Sequence, residues 1–222
     1  EATMAAAQTI LFAGGDPGLL SCLRALDYGG SFLVAVDRGL AVVDELGLTP
    51  DVFVGDADSV PPGLLAGLDP ERTRIVRLSS HKGVSDLEAA FDLLTAEGRR
   101  GTVLVLAGLG GRLDHSLFNL QLAARRMVDF EEISFEDSRC QVKPLRGSNT
   151  AHFAPGMTVS FVPMTGEVEL TLIGFEYPLT HALVAQGSTR TLSNLTHDGV
   201  QQVIVDRGTV MMIAWNESQN IL

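Results

Sequence analysis

From residue 9 to about residue 126, short apolar or β-branched runs alternate with longer stretches whose apolar positions recur at helical spacing. Strands covered on both faces read as continuous apolar runs, and their alternation with helices predicts a parallel α/β sheet. The runs at 9–13, 32–36, 51–54, 74–78 and 102–107 are the expected strands, and 17–26, 40–46, 85–97 and 113–126 the expected helices. The third helix carries the clearest start signal. Ser85 is placed to cap its first turn, and Glu88, three residues on, to complete a capping box. Leu87, Ala90, Phe91 and Leu94 then share its apolar face.

Beyond about Glu131 the pattern changes. Runs at 133–136, 159–163, 168–173 and 203–205 are separated by Gly, Pro and Asn, with no long helical pattern between them. That spacing predicts an antiparallel sandwich or barrel. The division falls near Cys140, giving an α/β domain over 5–140 and an all-β domain over 141–222, with no flexible Gly/Ser tract between them.

Charge and composition narrow the chemistry. With 16 basic residues against 27 acidic ones, a formal charge of -11, the chain would repel a nucleic-acid backbone. Cys22 and Cys140 show no CxxC spacing and read as two buried thiols, not as a disulfide or a zinc site. No apolar run approaches the roughly 20 residues that cross a bilayer. The opening Glu1-Ala2-Thr3-Met4 lacks the marks of a signal peptide, so Met4 is the expected start and the cytoplasm the expected location.

In an open parallel sheet, ligands bind outside the carboxyl ends of the strands, so polar residues that follow each run are the first candidates. Asp37 follows 32–36, Gly55-Asp56-Ala57-Asp58-Ser59 closes 51–54, Ser85-Asp86 comes after 74–78, and Gly108-Leu109-Gly110-Gly111-Arg112-Leu113-Asp114-His115 follows 102–107. In extended backbone Asp56 and Asp58, two apart, direct their carboxylates to one side. With Asp86 they suit magnesium, which takes a few carboxylates together with phosphate and water oxygens. Single aspartates after strands also cap helices and form turns; five on one rim, Asp37, Asp56, Asp58, Asp86 and Asp114, repel one another unless a cation is shared. Gly110 and Gly111 let backbone amides approach a phosphate where a helix starts, and Arg112 offers a two-pronged donor. The spacing fits neither a Walker loop nor GxGxxG. Lys82 and Arg38 add positive charge, and His115 is available to a phosphate or a proton. Trp215 reads as a core or interface residue.

In order and spacing, Asp37-Arg38-Gly39, Leu46-Gly47-Leu48-Thr49-Pro50-Asp51 leading to Gly55-Asp56-Ala57-Asp58-Ser59, Lys82 with Ser85-Asp86, and Gly110-Gly111-Arg112-Leu113-Asp114-His115 resemble the thiamine pyrophosphokinase family. The resemblance continues through residues 156–163 and 174–179 to Ser193-Asn194. It implies a Rossmann-like α/β domain followed by a C-terminal β-sandwich that binds thiamine, in a homodimer whose active sites lie between subunits. It also implies magnesium-dependent transfer of pyrophosphate from ATP to the thiamine hydroxyl, giving thiamine diphosphate and AMP. Matched by motif, Asp56, Asp58 and Asp86 resemble the metal or phosphate-site acids. Arg112, Asp114, His115, Gly110, Gly111, Lys82 and Ser59 fall in the nucleotide site, and Ser193 and Asn194 in the acceptor site. Asp86 and Asp37 are both available to take the hydroxyl proton. The chain departs from the pattern at Arg38, where Gly is usual, at Gly83, where an acid is usual, and at Ala57 and Leu195. These departures keep two alternatives in view: a related pyrophosphokinase with another small-alcohol acceptor, and a homologue that binds without catalysing.

Overall fold

A computed structural model of the chain describes residues 8–216 except 17, 19, 62 and 82, so Met4 and Lys82 lie outside the described residues. The chain divides into two compact units, Glu1–Ser138 and Arg139–Leu222.

The first unit runs β1 (Thr9–Phe12), α1 (Leu20–Arg24), β2 (Phe32–Val36), α2 (Gly39–Glu45), β3 (Val52–Gly55), β4 (Arg74–Arg77), α3 (Asp86–Ala96), β5 (Thr102–Leu106), α4 (Leu113–Arg126) and β6 (Glu132–Glu136). Its strands are all parallel, in the order β4-β3-β2-β1-β5-β6. Successive residues Ile10, Leu11 and Phe12 are all buried, as a strand covered on both faces requires. From β1 the chain steps outward to β4 and then returns to the other side of β1, which puts the topological switch point between β1 and β5.

Local chemistry fixes the helices. The Ser85 hydroxyl accepts from the Glu88 amide at 3.1 Å, and Leu87, Ala90, Phe91 and Leu94 are buried. The expected capping box is only half made, because the Glu88 carboxylate instead accepts from Arg125 of α4. Arg126 of α4 also reaches Asp92 of α3 at 2.6 Å, so ion pairs tie the two helices together. At the start of α2, a Cβ on Gly39 would lie 1.7 Å from the Phe12 carbonyl oxygen, so no other residue lets this helix begin against the end of β1.

Two expectations are overturned here. The run at 133–136 belongs to β6, which pairs in parallel with β5 and extends the α/β sheet rather than opening the antiparallel part. The 14-residue α4 supplies the crossover that a parallel pair needs. Cys22 is exposed rather than buried, because α1 is only five residues long and turns just Leu23 into the core; Cys140 is buried.

The second unit contains β7 (Cys140–Ala151), β8 (Thr158–Pro163), β9 (Glu167–Ile173), β10 (Leu179–Ala185), β11 (Asn194–Leu195) and β12 (Gln201–Trp215), paired antiparallel. β12 pairs with β7 in two stretches, 201–205 on 147–151 and 210–215 on 140–145, and between them residues 206–209 stand opposite Arg146 alone. Gly208 sits in that bulge at φ 87°, where a Cβ would meet the Thr165 hydroxyl at 2.5 Å. On its other edge the first stretch of β12 pairs with β9 and the second with β8. β7 and β12 therefore run through both layers of a sandwich. Phe161 of β8, Leu170 of β9 and Val203 and Met212 of β12 share one core, and Phe161 meets Phe175 edge-on at 5.5 Å. Trp215 ends β12 and is 39% exposed. Among the described residues, no helix is long and apolar enough to cross a membrane.

Candidate active site

A cleft of about 700 Å³ opens at the switch point. It is lined by Gly14, Gly15 and Asp16 beyond β1, Asp37 and Arg38 beyond β2, Ser59 beyond β3, Ser85 and Asp86 at the start of α3, Gly108, Gly110, Gly111 and Arg112 beyond β5, and His115 and Asn119 of α4. Most residues singled out in the sequence meet here.

The turns that carry them are strained. Asp37, Ala57 and Ala107, each just beyond a parallel strand, have φ of 47°, 68° and 52°. Non-glycine residues adopt that left-handed conformation only where their surroundings impose it, and such strain gathers at functional sites. The Asp37 amide is held by the Val54 carbonyl at 2.9 Å, and its Oδ2 accepts from the Ser59 hydroxyl. Its Oδ1 is buried and has no hydrogen-bond partner among the described residues. A buried carboxylate oxygen without a donor is costly unless a ligand group meets it.

The geometry of the paired aspartates differs from the extended pattern expected. β3 ends at Gly55 and Ala57 turns left-handed, so Asp56 folds back and its Oδ1 accepts the Asp58 amide at 3.1 Å. Strand alternation therefore does not align the two. Asp56, Asp58 and Asp86 do not converge within 4.8 Å; among the described residues only Glu169, His181 and Asp206 do so. Carboxylates brought together without a cation repel. Their donors are nonetheless all hard oxygens, part-buried at Asp56 and Asp86 and exposed at Asp58, which suits a magnesium ion that keeps phosphate and water ligands.

On the opposite side of the cleft, Gly110 and Gly111 take φ of 80° and 65°, a consecutive left-handed pair that turns the chain sharply into α4. Asn119 donates to the Gly108 carbonyl at 2.8 Å and braces this turn. Arg112 grips Asp114 through two hydrogen bonds, Nε to Oδ1 at 3.1 Å and Nη2 to Oδ2 at 2.5 Å. The hydrogen bond and charge of Arg112 hold the Asp114 carboxyl down to about 2, and Asp114 in turn raises Arg112. The result is a pre-oriented guanidinium beside a glycine turn at a helix start, an arrangement suited to phosphate.

Gly14-Gly15-Asp16 and Asn119 line the cleft but were not singled out from the sequence. The signal was present, since Gly-Gly-Asp follows the 9–13 run as the other candidates follow theirs. Main-chain bonds from Ala13 to Leu106 and from Gly15 to Ala107, both 2.8 Å, stitch that segment to the end of β5.

Ser193 and Asn194 lie in the second unit. Ser193 is exposed at φ 56°, its amide bonded to the Ser160 hydroxyl at 2.9 Å. Asn194 is 3% exposed: its Oδ1 accepts from the Tyr177 and Leu195 amides, and its Nδ2 donates to the Tyr177 carbonyl at 2.8 Å. It positions the segment carrying the exposed Tyr177.

Comparison with known proteins follows the same division. Residues 26–134 match the model "Thiamin pyrophosphokinase, catalytic domain" and residues 148–210 the model "Thiamin pyrophosphokinase, vitamin B1 binding domain". The chain is 27% identical over 217 residues to the thiamine pyrophosphokinase of Bacillus subtilis, covering 90% of this chain and 91% of that protein. The crystal structure of thiamin pyrophosphokinase from Geobacillus thermodenitrificans is 29% identical with a TM-score of 0.83, over 96% of this chain and 99% of that one. The enzyme from Candida albicans, 15% identical, keeps the fold with a TM-score of 0.77 over 95% of this chain and 90% of its own.

Proposed function

The chain belongs to the thiamin pyrophosphokinase family, and from that premise we propose that it transfers pyrophosphate from ATP to the hydroxyl of thiamine, with magnesium, releasing thiamine diphosphate and AMP. The observation that carries the reading is the switch-point cleft, which joins the donorless oxygen of Asp37 to the glycine turn and Arg112. Gly110, Gly111 and Arg112 bind the phosphates, with His115 and Ser59 at the same cleft. Asp56, Asp58 and Asp86 are the residues that would hold magnesium, which would offset charge on the phosphate oxygens. Asp37, fixed on one oxygen by Ser59, takes the proton of the attacking hydroxyl with the other. With little covalent work for the protein, positioning supplies most of the acceleration. Ser193 meets the acceptor, and Asn194 orders the segment beside it.

The test is AMP release with ATP and magnesium, with and without thiamine. Thiamine-dependent release is expected; release that thiamine does not change would refute the assignment and return attention to another alcohol or to binding alone. The exposed Leu113, Leu117 and Phe118 of α4 support assembly as a homodimer, which sedimentation equilibrium would check. Two cysteines without CxxC spacing support a reducing compartment, the cytoplasm.

A further inference from the structure

We infer that Glu169, His181 and Asp206 form a binding site for a divalent transition-metal ion of the zinc class, a second metal site on this chain. The three side chains come from adjacent strands, with β9 in the middle carrying Glu169, β10 on one side carrying His181 and β12 on the other carrying Asp206. Both outer residues sit at irregularities in the ladder. The pairing of β10 with β9 shifts between Leu179 and Ala182, where His181 takes φ 46°, and the pairing of β12 with β9 shifts between Val205 and Arg207. Bulges re-aim side chains, and here two of them turn His181 and Asp206 toward the same acid.

His181 Nδ1 lies 3.2 Å from Glu169 Oε1 and 3.3 Å from Asp206 Oδ2. A tetrahedral ion about 2.0–2.1 Å from its ligands spaces neighbouring ligand atoms about 3.3 Å apart, so both distances match its edges. An ordinary ion pair explains the arrangement less well. A ring nitrogen carries at most one N–H, and only its Glu169 contact is a hydrogen bond, whereas an ion among the three would be met by all of them. The nearby Arg207 is engaged by Glu167 and leaves Asp206 to the cluster. One imidazole with two carboxylates selects zinc, cobalt or manganese over magnesium, and three protein ligands leave a position open to water.

The experiment titrates the full chain with cobalt chloride, followed by visible d–d absorption, and with zinc chloride by calorimetry. Two variants report on the site. His181→Asn removes the imidazole while tolerating left-handed backbone, and His181→Lys keeps a cation between the acids but no neutral ligand. Wild type is expected to take up one ion with a tetrahedral cobalt spectrum. Both variants should lose that spectrum and bind zinc more than about tenfold more weakly, since losing a ligand exceeds losing its outer support. Asp206→Asn, which leaves the His181 backbone untouched, should weaken zinc binding in the same direction if a His181 variant misfolds. Wild-type cobalt binding that is absent, or unchanged in His181→Asn and Asp206→Asn, would overturn the site and leave an ion pair. Thiamine-dependent AMP release with magnesium should be unchanged in His181→Asn.

Discussion

At the rim of the first unit, Asp37 keeps a buried carboxylate oxygen without a donor among the described residues; in the second unit, Glu167 meets Arg207 and Glu176 meets His197. Asp37, Asp56 and Asp58 sit in turns that follow strands, whereas Glu167 lies on β9 and Glu176 just beyond it. The rim leaves an acid oxygen open to a ligand; these two acids of the second unit already have protein partners. Residues of the first kind are therefore expected to govern turnover with little effect on stability, and core residues of the sandwich the reverse.

Phe161→Ala is the largest break to attempt. It empties the centre of the sandwich core, and a loss of about 3–5 kcal/mol in denaturant unfolding is expected, with turnover per folded molecule little changed below the transition. Asp37→Asn should do the opposite, cutting thiamine-dependent AMP release roughly 100-fold or more while unfolding stays near wild type. Asp56→Asn and Asp58→Asn should follow it in activity and fold as well or slightly better, because like charges are removed. Equal losses of stability and turnover in these rim variants would erase the contrast. Ser85→Ala, at the boundary between the two behaviours, loses the α3 cap, at a cost of about 1 kcal/mol.

The smallest effect is a titration. Asp114 has a folded value of about 2 against the ordinary 3.8, so its pairing with Arg112 is complete above the ordinary value and fades as pH falls through about 2. Across neutral pH it changes nothing. In Arg112→Gln, carboxyl chemical shifts should report Asp114 titrating upward toward 3.8, and the small stability advantage of wild type should be present at neutral pH and vanish as pH falls through about 2.

The first unit was the more legible in sequence. The 32–36 strand and the 113–126 helix match the expected bounds to the residue, because a continuous apolar run and a long helical period need little tertiary help. β6 is not legible as part of the parallel sheet, because its five residues show no periodicity that tells a parallel strand from an antiparallel one. In the sandwich, β7 carries Pro144, Gly147 and Asn149, which read as breakers, and β12 looked three residues long because the bulge at 206–209 interrupts its alternation. At the site, of the five acids the motifs point to, Asp37 and Asp86 line the cleft and Asp56, Asp58 and Asp114 do not. The motifs did not expose the fold-back of Asp56, which depends on Ala57 taking a left-handed conformation that alanine rarely adopts.

The pairing that bends β12 across both layers also brings the ends of the second unit together. Trp215 lies in register with Cys140, and the Asn216 amide donates to the Arg139 carbonyl at 2.7 Å. The polypeptide enters and leaves this unit at a single point, so topologically it is a loop already closed. A circular permutant joined there and opened at the exposed turn near Gly187 would keep every rung of the ladder, and the same closure lets such a unit be spliced into a host chain without prying the host apart.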